Sequence, residues 1–120
     1  MLERSGLLLT IAIVFCTTAI ANDQITMRGV GTSSCAEFRI HYKKNPKLAD
    51  LVYGEWAQGF MSGLNAQLMS DGKPARNIPA ANQGRIRQLC DQLPSATYFQ
   101  VVRGYFATLP ELPPQTTDHK

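Results

Sequence analysis

The chain has 120 residues, of which 44% are hydrophobic and 18% are charged. This length and composition allow one small domain, and they exclude both a wholly disordered chain and a multidomain enzyme. The formal charge of +3 comes from scattered lysines and arginines, whereas nucleic-acid-binding proteins usually carry a clustered basic stripe. We therefore expect no binding to nucleic acid.

The first 21 residues have the pattern of a signal peptide. Arg4 precedes an apolar run over residues 6–15, and Ala19 and Ala21 are small residues of the kind that signal peptidase accepts before its cleavage point. We therefore expect cleavage after Ala21. The apolar run is also shorter than the ~20 residues that a membrane span needs, which argues against a membrane anchor. Retention as a membrane anchor and lipidation of Cys16 are the alternatives. The pattern predicts a periplasmic or secreted protein without membrane association after cleavage.

Cleavage at this point would leave two of the three cysteines, Cys35 and Cys90. Exported proteins reach an oxidising compartment, in which such a pair is expected to form a disulfide. Two free thiols, or a metal site completed by His41 and His119, are the alternatives.

The mature chain begins with a lead-in and a first helix. Residues 22–33 show no lasting periodicity and predict a flexible lead-in. Ser34 and Glu37 have the spacing of a capping box, in which each side chain satisfies a free backbone N–H at the start of a helix. The predicted first helix spans residues 35–44, and Pro46 prevents its continuation.

A second, longer helix is predicted from about Leu48 to Met69. At 100° per residue its predicted inner stripe comprises Val52, Trp56, Gly59, Gly63 and Ala66, with Tyr53 and Phe60 at the edge. A glycine in a helix interior costs about 1 kcal/mol relative to alanine, so we expect a neighbouring helix to approach closely over Gly59 and Gly63. Trp56, Gly59, Phe60 and Gly63 are therefore predicted to form a structural core motif.

Two shorter amphipathic helices follow a predicted surface connection over residues 70–79. The third helix is expected over residues 80–92, with an inner stripe of Ile86, Leu89, Cys90 and Leu93. The fourth is expected to start at a Ser95 cap and to end near Leu109. Its predicted inner side comprises Phe99, Val102, Phe106 and Leu109, flanked by Tyr98 and Tyr105.

The complete pattern predicts an all-α, compact four-helix domain over residues 34–109. A disulfide is expected to join the first helix to the third. Several prolines and polar residues after Leu109 predict a disordered tail over residues 110–120.

The sequence contains no recognisable arrangement of catalytic residues. His41 is the only histidine in the predicted helical region, and Ser62 lacks the strand–turn–helix context of a nucleophile elbow. The spacing of Glu37, Glu55 and His41 does not by itself bring them to one cleft. We therefore expect no enzyme activity, no cofactor and no bound metal, and a small periplasmic enzyme is kept as a third hypothesis.

Three features occur in order along the chain: Ser34–Cys35 with Phe38, the segment Tyr53–Ala66, and Leu89–Cys90 followed by Pro94. In this order they resemble the HdeA-like group of small secreted bacterial proteins. The resemblance implies a helical fold with one inter-helix disulfide, and the best-known members of the group are periplasmic acid-stress chaperones. The same outline is similar to the Rap/Tai immunity proteins, which block peptidoglycan amidases injected by type VI secretion.

Both resemblances imply a non-enzymatic periplasmic protein that binds another protein. An acid chaperone is expected to switch when its carboxylates become protonated, but loss of residues 1–21 leaves eleven basic and only eight acidic residues. We therefore rank immunity-like binding to an effector enzyme first and chaperone-like binding to unfolded clients second. Lys43, Lys44 and Lys47 form a basic run that we interpret as a solvated face or as the rim of the binding site. The oligomeric state is left open, a homodimer included.

Overall fold

The computed structural model describes residues 27–114. The predicted cleavage site at Ala19 and Ala21, together with Cys16 and His119, lies outside the described residues. Within them the chain forms a short 3-10 turn, Val30–Thr32, and four helices. These are α1 (Cys35–Lys44), α2 (Pro46–Ser70), α3 (Gln83–Gln92) and α4 (Tyr98–Thr108). The described residues contain no strand, and the all-α four-helix prediction is confirmed.

Asn45 is the only residue between α1 and α2. Its backbone N–H donates to the His41 carbonyl at 3.0 Å, and its side-chain oxygen accepts from the Leu48 N–H at 3.2 Å. Pro46 starts α2, where a missing backbone N–H is tolerated. The proline therefore ends α1 as predicted, and it also begins α2 two residues before the predicted start.

The starts of α1 and α4 are held side by side. Ser34 and Glu37 form the predicted capping box on α1. On α4 the cap is Thr97, with Gln100 completing the box, so the prediction of Ser95 as the cap is wrong. The Tyr98 N–H also donates to the Ser33 carbonyl at 2.8 Å. This bond fixes where α4 begins, and no local sequence signal encodes it.

A disulfide joins Cys35 at the start of α1 to Cys90 near the end of α3. Both residues are buried, and their Cα atoms lie 5.0 Å apart. The predicted connection of the first and third helices is confirmed, and the free-thiol and metal-site alternatives for these cysteines are excluded.

The buried face of α2 differs from the predicted stripe. Its buried residues are Ala49, Tyr53, Gly54, Ala57 and Met61. Gly59 and Gly63 are exposed, and a Cβ added at either would meet no atom within 4 Å, so the predicted close helix approach over them is wrong. Trp56 and Phe60 are half-buried and do pack against the core. The observed stripe is rotated by about one residue because the rings of Phe38 and Tyr98 pack around Tyr53 instead, at centroid distances of 4.5 and 4.9 Å.

The helices α3 and α4 complete the core with small departures from the predicted stripes. In α3, Ile86 and Cys90 are buried, but Leu93 is exposed. The buried residues of α4 and its C-cap are Tyr98, Val101, Val102, Tyr105, Phe106 and Leu109. The two tyrosines predicted at the edge are thus buried, while Phe99 is half-buried.

The predicted lead-in and tail are corrected where the structure describes them. Gly31 is buried, and the Trp56 indole N–H donates to the Arg28 carbonyl at 3.2 Å, so this end of the lead-in is packed. At the other end, the Leu112 N–H donates to the Ala75 carbonyl at 2.8 Å. The first residues of the predicted tail are therefore paired with the connection between α2 and α3. None of the helices in the described range is long and apolar enough to cross a bilayer.

Candidate functional site

An apolar groove lies where α1 ends and α2 begins. We call it the α1–α2 groove; its volume is about 520 Å³, and it is lined by Val30, His41, Lys44, Asn45, Leu48, Ala49, Val52 and Tyr53. Ala49 and Tyr53 are buried, whereas Leu48 and Val52 expose 54% and 42% of their surface. The groove therefore offers apolar contact to a ligand while the charge of Lys44 lies at its margin.

Hydrogen bonds fix the polar side of this groove. The Tyr53 hydroxyl and the Nδ1 atom of His41 are 2.8 Å apart, which links α1 to α2.

The Tyr98 hydroxyl donates to the Tyr53 carbonyl at 3.2 Å. Burial, followed by the charges of Tyr53 and Asp50, raises the pKa of the Tyr98 phenol well above its usual range. Tyr98 is therefore a neutral donor inside the core at physiological pH.

A second pocket, the α1–α3 pocket, lies on the other flank of α1. Its volume is about 440 Å³, and its lining residues are Phe38, Arg39, Tyr42, Lys43, Arg87 and Asp91. Three cations and one carboxylate thus surround a base that contains the buried ring of Phe38. The pocket has an excess of positive charge.

Both arginines of the α1–α3 pocket are held in position. Arg39 donates to Asp91 twice, to a carboxylate oxygen and to the backbone carbonyl, each at 3.2 Å. Arg87 donates to the Asp50 carboxylate at 2.9 Å, and its guanidinium carbon lies 4.3 Å from the centre of the Tyr42 ring. Such contacts reduce the side-chain freedom that an arginine would otherwise lose on binding.

The disulfide fixes the distance between the two walls of this pocket. Cys90 is the residue before Asp91 and lies one turn after Arg87, while Cys35 lies one turn before Phe38 and Arg39. The covalent bond therefore connects the wall formed by α1 to the wall formed by α3.

The predicted basic run divides between the two concavities. Lys43 lines the α1–α3 pocket, Lys44 lines the α1–α2 groove, and Lys47 lines neither. All three are exposed, and none forms an ion pair with another of residues 27–114. Their role as a binding rim stays a prediction.

The structure does not bring the residues considered for catalysis together in one site. Glu37 caps the start of α1, and neither Glu37 nor Glu55 lines the groove that contains His41. Ser62 donates to the Gln58 carbonyl of its own helix at 2.7 Å. In the part of the chain that the structure describes, no three His, Cys, Asp or Glu residues are grouped so that they could hold a metal ion.

Sequence reasoning missed a set of exposed apolar side chains on the two helices that form the groove. Ile40 on α1 exposes 64% of its surface, and Leu51 on α2 exposes 60%. Leu48, Leu51 and Val52 are spaced by three and four residues, so they share one face of α2. The available signal was that the first half of α2 carries more apolar residues than one buried stripe can accommodate.

Comparison with known proteins gave no match. No protein-family model matches the chain. No curated protein and no solved structure matches it either. The resemblance to HdeA-like and Rap/Tai proteins therefore rests on the sequence pattern, and the chemistry of the site is argued from its own residues.

Proposed function

We propose that the protein is a non-enzymatic, exported binding module that holds another protein against the surface where α1 meets α2. The observation that carries this proposal is the exposed apolar set formed by Ile40, Leu48, Leu51 and Val52. Removing apolar surface from water contributes about 25 cal/mol per Å². A helix face that exposes several apolar side chains, as Leu48, Leu51 and Val52 do, is typical of interaction sites.

A protein fits this surface better than a small ligand. Leu48 and Val52 line the α1–α2 groove, but Ile40 and Leu51 lie outside its lining. A ligand confined to the groove would leave these two side chains in water, whereas a protein surface could cover them as well. The disulfide supports export to an oxidising compartment.

Among protein-binding functions we favour inhibition of a cell-wall amidase, as the resemblance to Rap/Tai proteins implies. A surface held by the shared cap at Asn45 and by the contact between His41 and Tyr53 suits recognition of one folded partner. The second candidate is an acid-stress chaperone, for which the exposed apolar set would hold unfolded clients. An acid chaperone needs carboxylates whose protonation at low pH opens the fold. This candidate is ranked lower because the described residues contain only two carboxylate–cation pairs, both partly exposed, and the loss of such pairs changes stability little.

The function is tested by assaying peptidoglycan amidases from neighbouring genes with and without the purified protein. We expect stoichiometric inhibition that Leu51→Asp abolishes, because a charge there would be buried at the interface. Met69→Asp is the matched control, since Met69 is also highly exposed but lies in the last turn of α2. Circular dichroism would verify that both variants fold.

A protein that inhibits no amidase but prevents aggregation of acid-denatured clients would contradict this assignment. In that case hydrophobic dye binding should rise sharply near pH 3, and the chaperone candidate would replace the inhibitor. If the protein stays folded and monodisperse down to that pH and protects no client, the ranking is supported.

A further inference from the structure

The α1–α2 groove and the α1–α3 pocket lie on opposite flanks of one short helix. At 100° per residue, Arg39 and Lys43 share the flank that lines the pocket, while His41 and Lys44 share the flank that lines the groove. Ile40 falls between Lys43 and Lys44 on the crest of the helix. One binding partner that covers the crest can therefore reach both concavities.

The chemistry of the α1–α3 pocket favours a carboxylate on an apolar stem. Arg39 and Arg87 are oriented by Asp91 and Asp50, and each guanidinium has further N–H groups that these bonds do not use. Lys43 adds a third cation that no carboxylate of residues 27–114 pairs with. The half-buried ring of Tyr42, which also lines the pocket, would contact the methylene groups of a glutamate side chain.

From this arrangement we infer that the partner binds through a segment that crosses α1, placing an apolar side chain in the α1–α2 groove and a carboxylate side chain in the α1–α3 pocket. The inference rests on the proposed protein-binding function and adds the chemistry of the partner. Charge complementarity selects an acidic segment, since the three cations Arg39, Lys43 and Arg87 outnumber the two carboxylates, Asp91 and Asp50, that pair with them.

The thickness of α1 sets the spacing of the two side chains. A helix with its side chains is about 10 Å across. A polyproline II segment advances about 3.1 Å per residue and places every third side chain on the same side, so an apolar side chain and a carboxylate three positions apart can reach the two flanks together. The same segment would cover Ile40 as it crosses the crest.

An anionic membrane surface is the competing partner, because exposed apolar side chains beside lysines also suit lipid headgroups. A concave pocket favours the acidic segment. Two of its three cations are drawn toward Asp91 and Asp50 on the protein itself, so a flat charged surface would reach mainly the lysines.

The experiment titrates isotope-labelled mature protein with two capped tetrapeptides and follows its amide resonances by NMR. The probes are acetyl-Leu-Ser-Ser-Glu-amide and its glutamine counterpart at millimolar concentration. We expect the glutamate peptide to shift resonances on both flanks of α1. We expect its Kd to rise about fivefold for the glutamine peptide and for the Lys43→Glu protein, because a partly exposed charge pair is lost.

Lys73→Glu is the matched control, because Lys73 is an exposed lysine in the connection after α2. It should bind the glutamate peptide as the unmodified protein does. Equal affinity for both peptides, shifts on one flank only, or no shifts would overturn the inference. Binding to phosphatidylglycerol vesicles without a peptide response would overturn it in favour of the membrane.

The amidase assay separates this inference from the proposed function. If Leu51→Asp abolishes inhibition and Lys43→Glu leaves it unchanged, the binding function stands and the acidic contact is wrong. If the glutamate peptide binds as expected but no amidase is inhibited, the pocket chemistry stands and the assigned function is wrong.

Discussion

Tyr98 shows how one buried residue connects three helices. Its ring lies 5.3 Å from that of Phe38 on α1 and 4.9 Å from that of Tyr53 on α2, centre to centre. Its hydroxyl donates to the Tyr53 carbonyl. This carbonyl oxygen has two lone pairs, so it can also accept a backbone hydrogen bond within α2. Since Tyr53 in turn contacts His41, the candidate site is joined to the core through these two tyrosines.

The raised pKa of Tyr98 gives a prediction for alkaline pH. The folded state holds the Tyr98 phenol proton more tightly than the unfolded chain does. The protonated phenol therefore contributes fully to the free energy of unfolding below its unfolded pKa of about 10, and this contribution is lost as the pH rises above that value. Tyr98→Phe should lower the free energy of unfolding by about 1 kcal/mol at pH 8, through the lost hydrogen bond. Urea unfolding should then show that the free energy of unfolding falls less between pH 8 and pH 11 in the variant than in the unmodified protein. An equal loss in both proteins would contradict the assignment of this sensitivity to Tyr98.

At the scale of single elements, local patterns predicted α1 well and α2 poorly. The capping box at Ser34 and the proline at 46 define α1 from neighbouring residues alone. Apolar residues occur on several faces of α2, so periodicity did not identify which face is buried. That choice depends on Phe38 and Tyr98, which come from other helices.

The candidate site was predicted only in part, for a related reason. The basic run of Lys43, Lys44 and Lys47 is continuous enough in sequence to be noticed. Arg87 and Asp50 come from α3 and α2, and only the fold brings them together beside Tyr42. The disulfide was the one sequence signal that related α1 to α3.

The glycines of α2 give a prediction at this scale. Gly63 is exposed and has free space around it, so Gly63→Ala should raise the free energy of unfolding by about 0.5–1 kcal/mol through helix propensity. Gly31→Ala is the contrasting variant, because a Cβ there would overlap the ring of Trp56. It should lower stability. Chemical denaturation followed by circular dichroism would measure both, and a loss of stability in Gly63→Ala would show that another surface packs against this face.

At the scale of the whole molecule, the disulfide closes a long loop through most of the helical domain. Cys35 and Cys90 are separated by 55 positions, and α2 lies entirely between them. A crosslink over such a loop restricts the unfolded chain strongly. It also connects the two walls of the α1–α3 pocket, so stability and binding should both depend on it.

Replacing both cysteines with alanine should lower the free energy of unfolding by about 2–5 kcal/mol. Urea unfolding under non-reducing conditions would measure this change. If the predicted signal peptide is removed after Ala21, the intact mass of the protein should correspond to a chain that begins at Asn22 and lacks the two thiol hydrogens. Two cysteines that react freely with an alkylating reagent would contradict the prediction.

The contact between Gly31 and Trp56 provides an optical probe of the N-terminal segment. Trp56 is the only tryptophan in the chain, and its indole donates to the Arg28 carbonyl while its ring stacks on Phe60 at a centroid distance of 5.2 Å. Its emission wavelength therefore reports whether residues 28–31 cover the ring or expose it to solvent. Stopped-flow fluorescence can follow the docking of this segment in real time, without an added label.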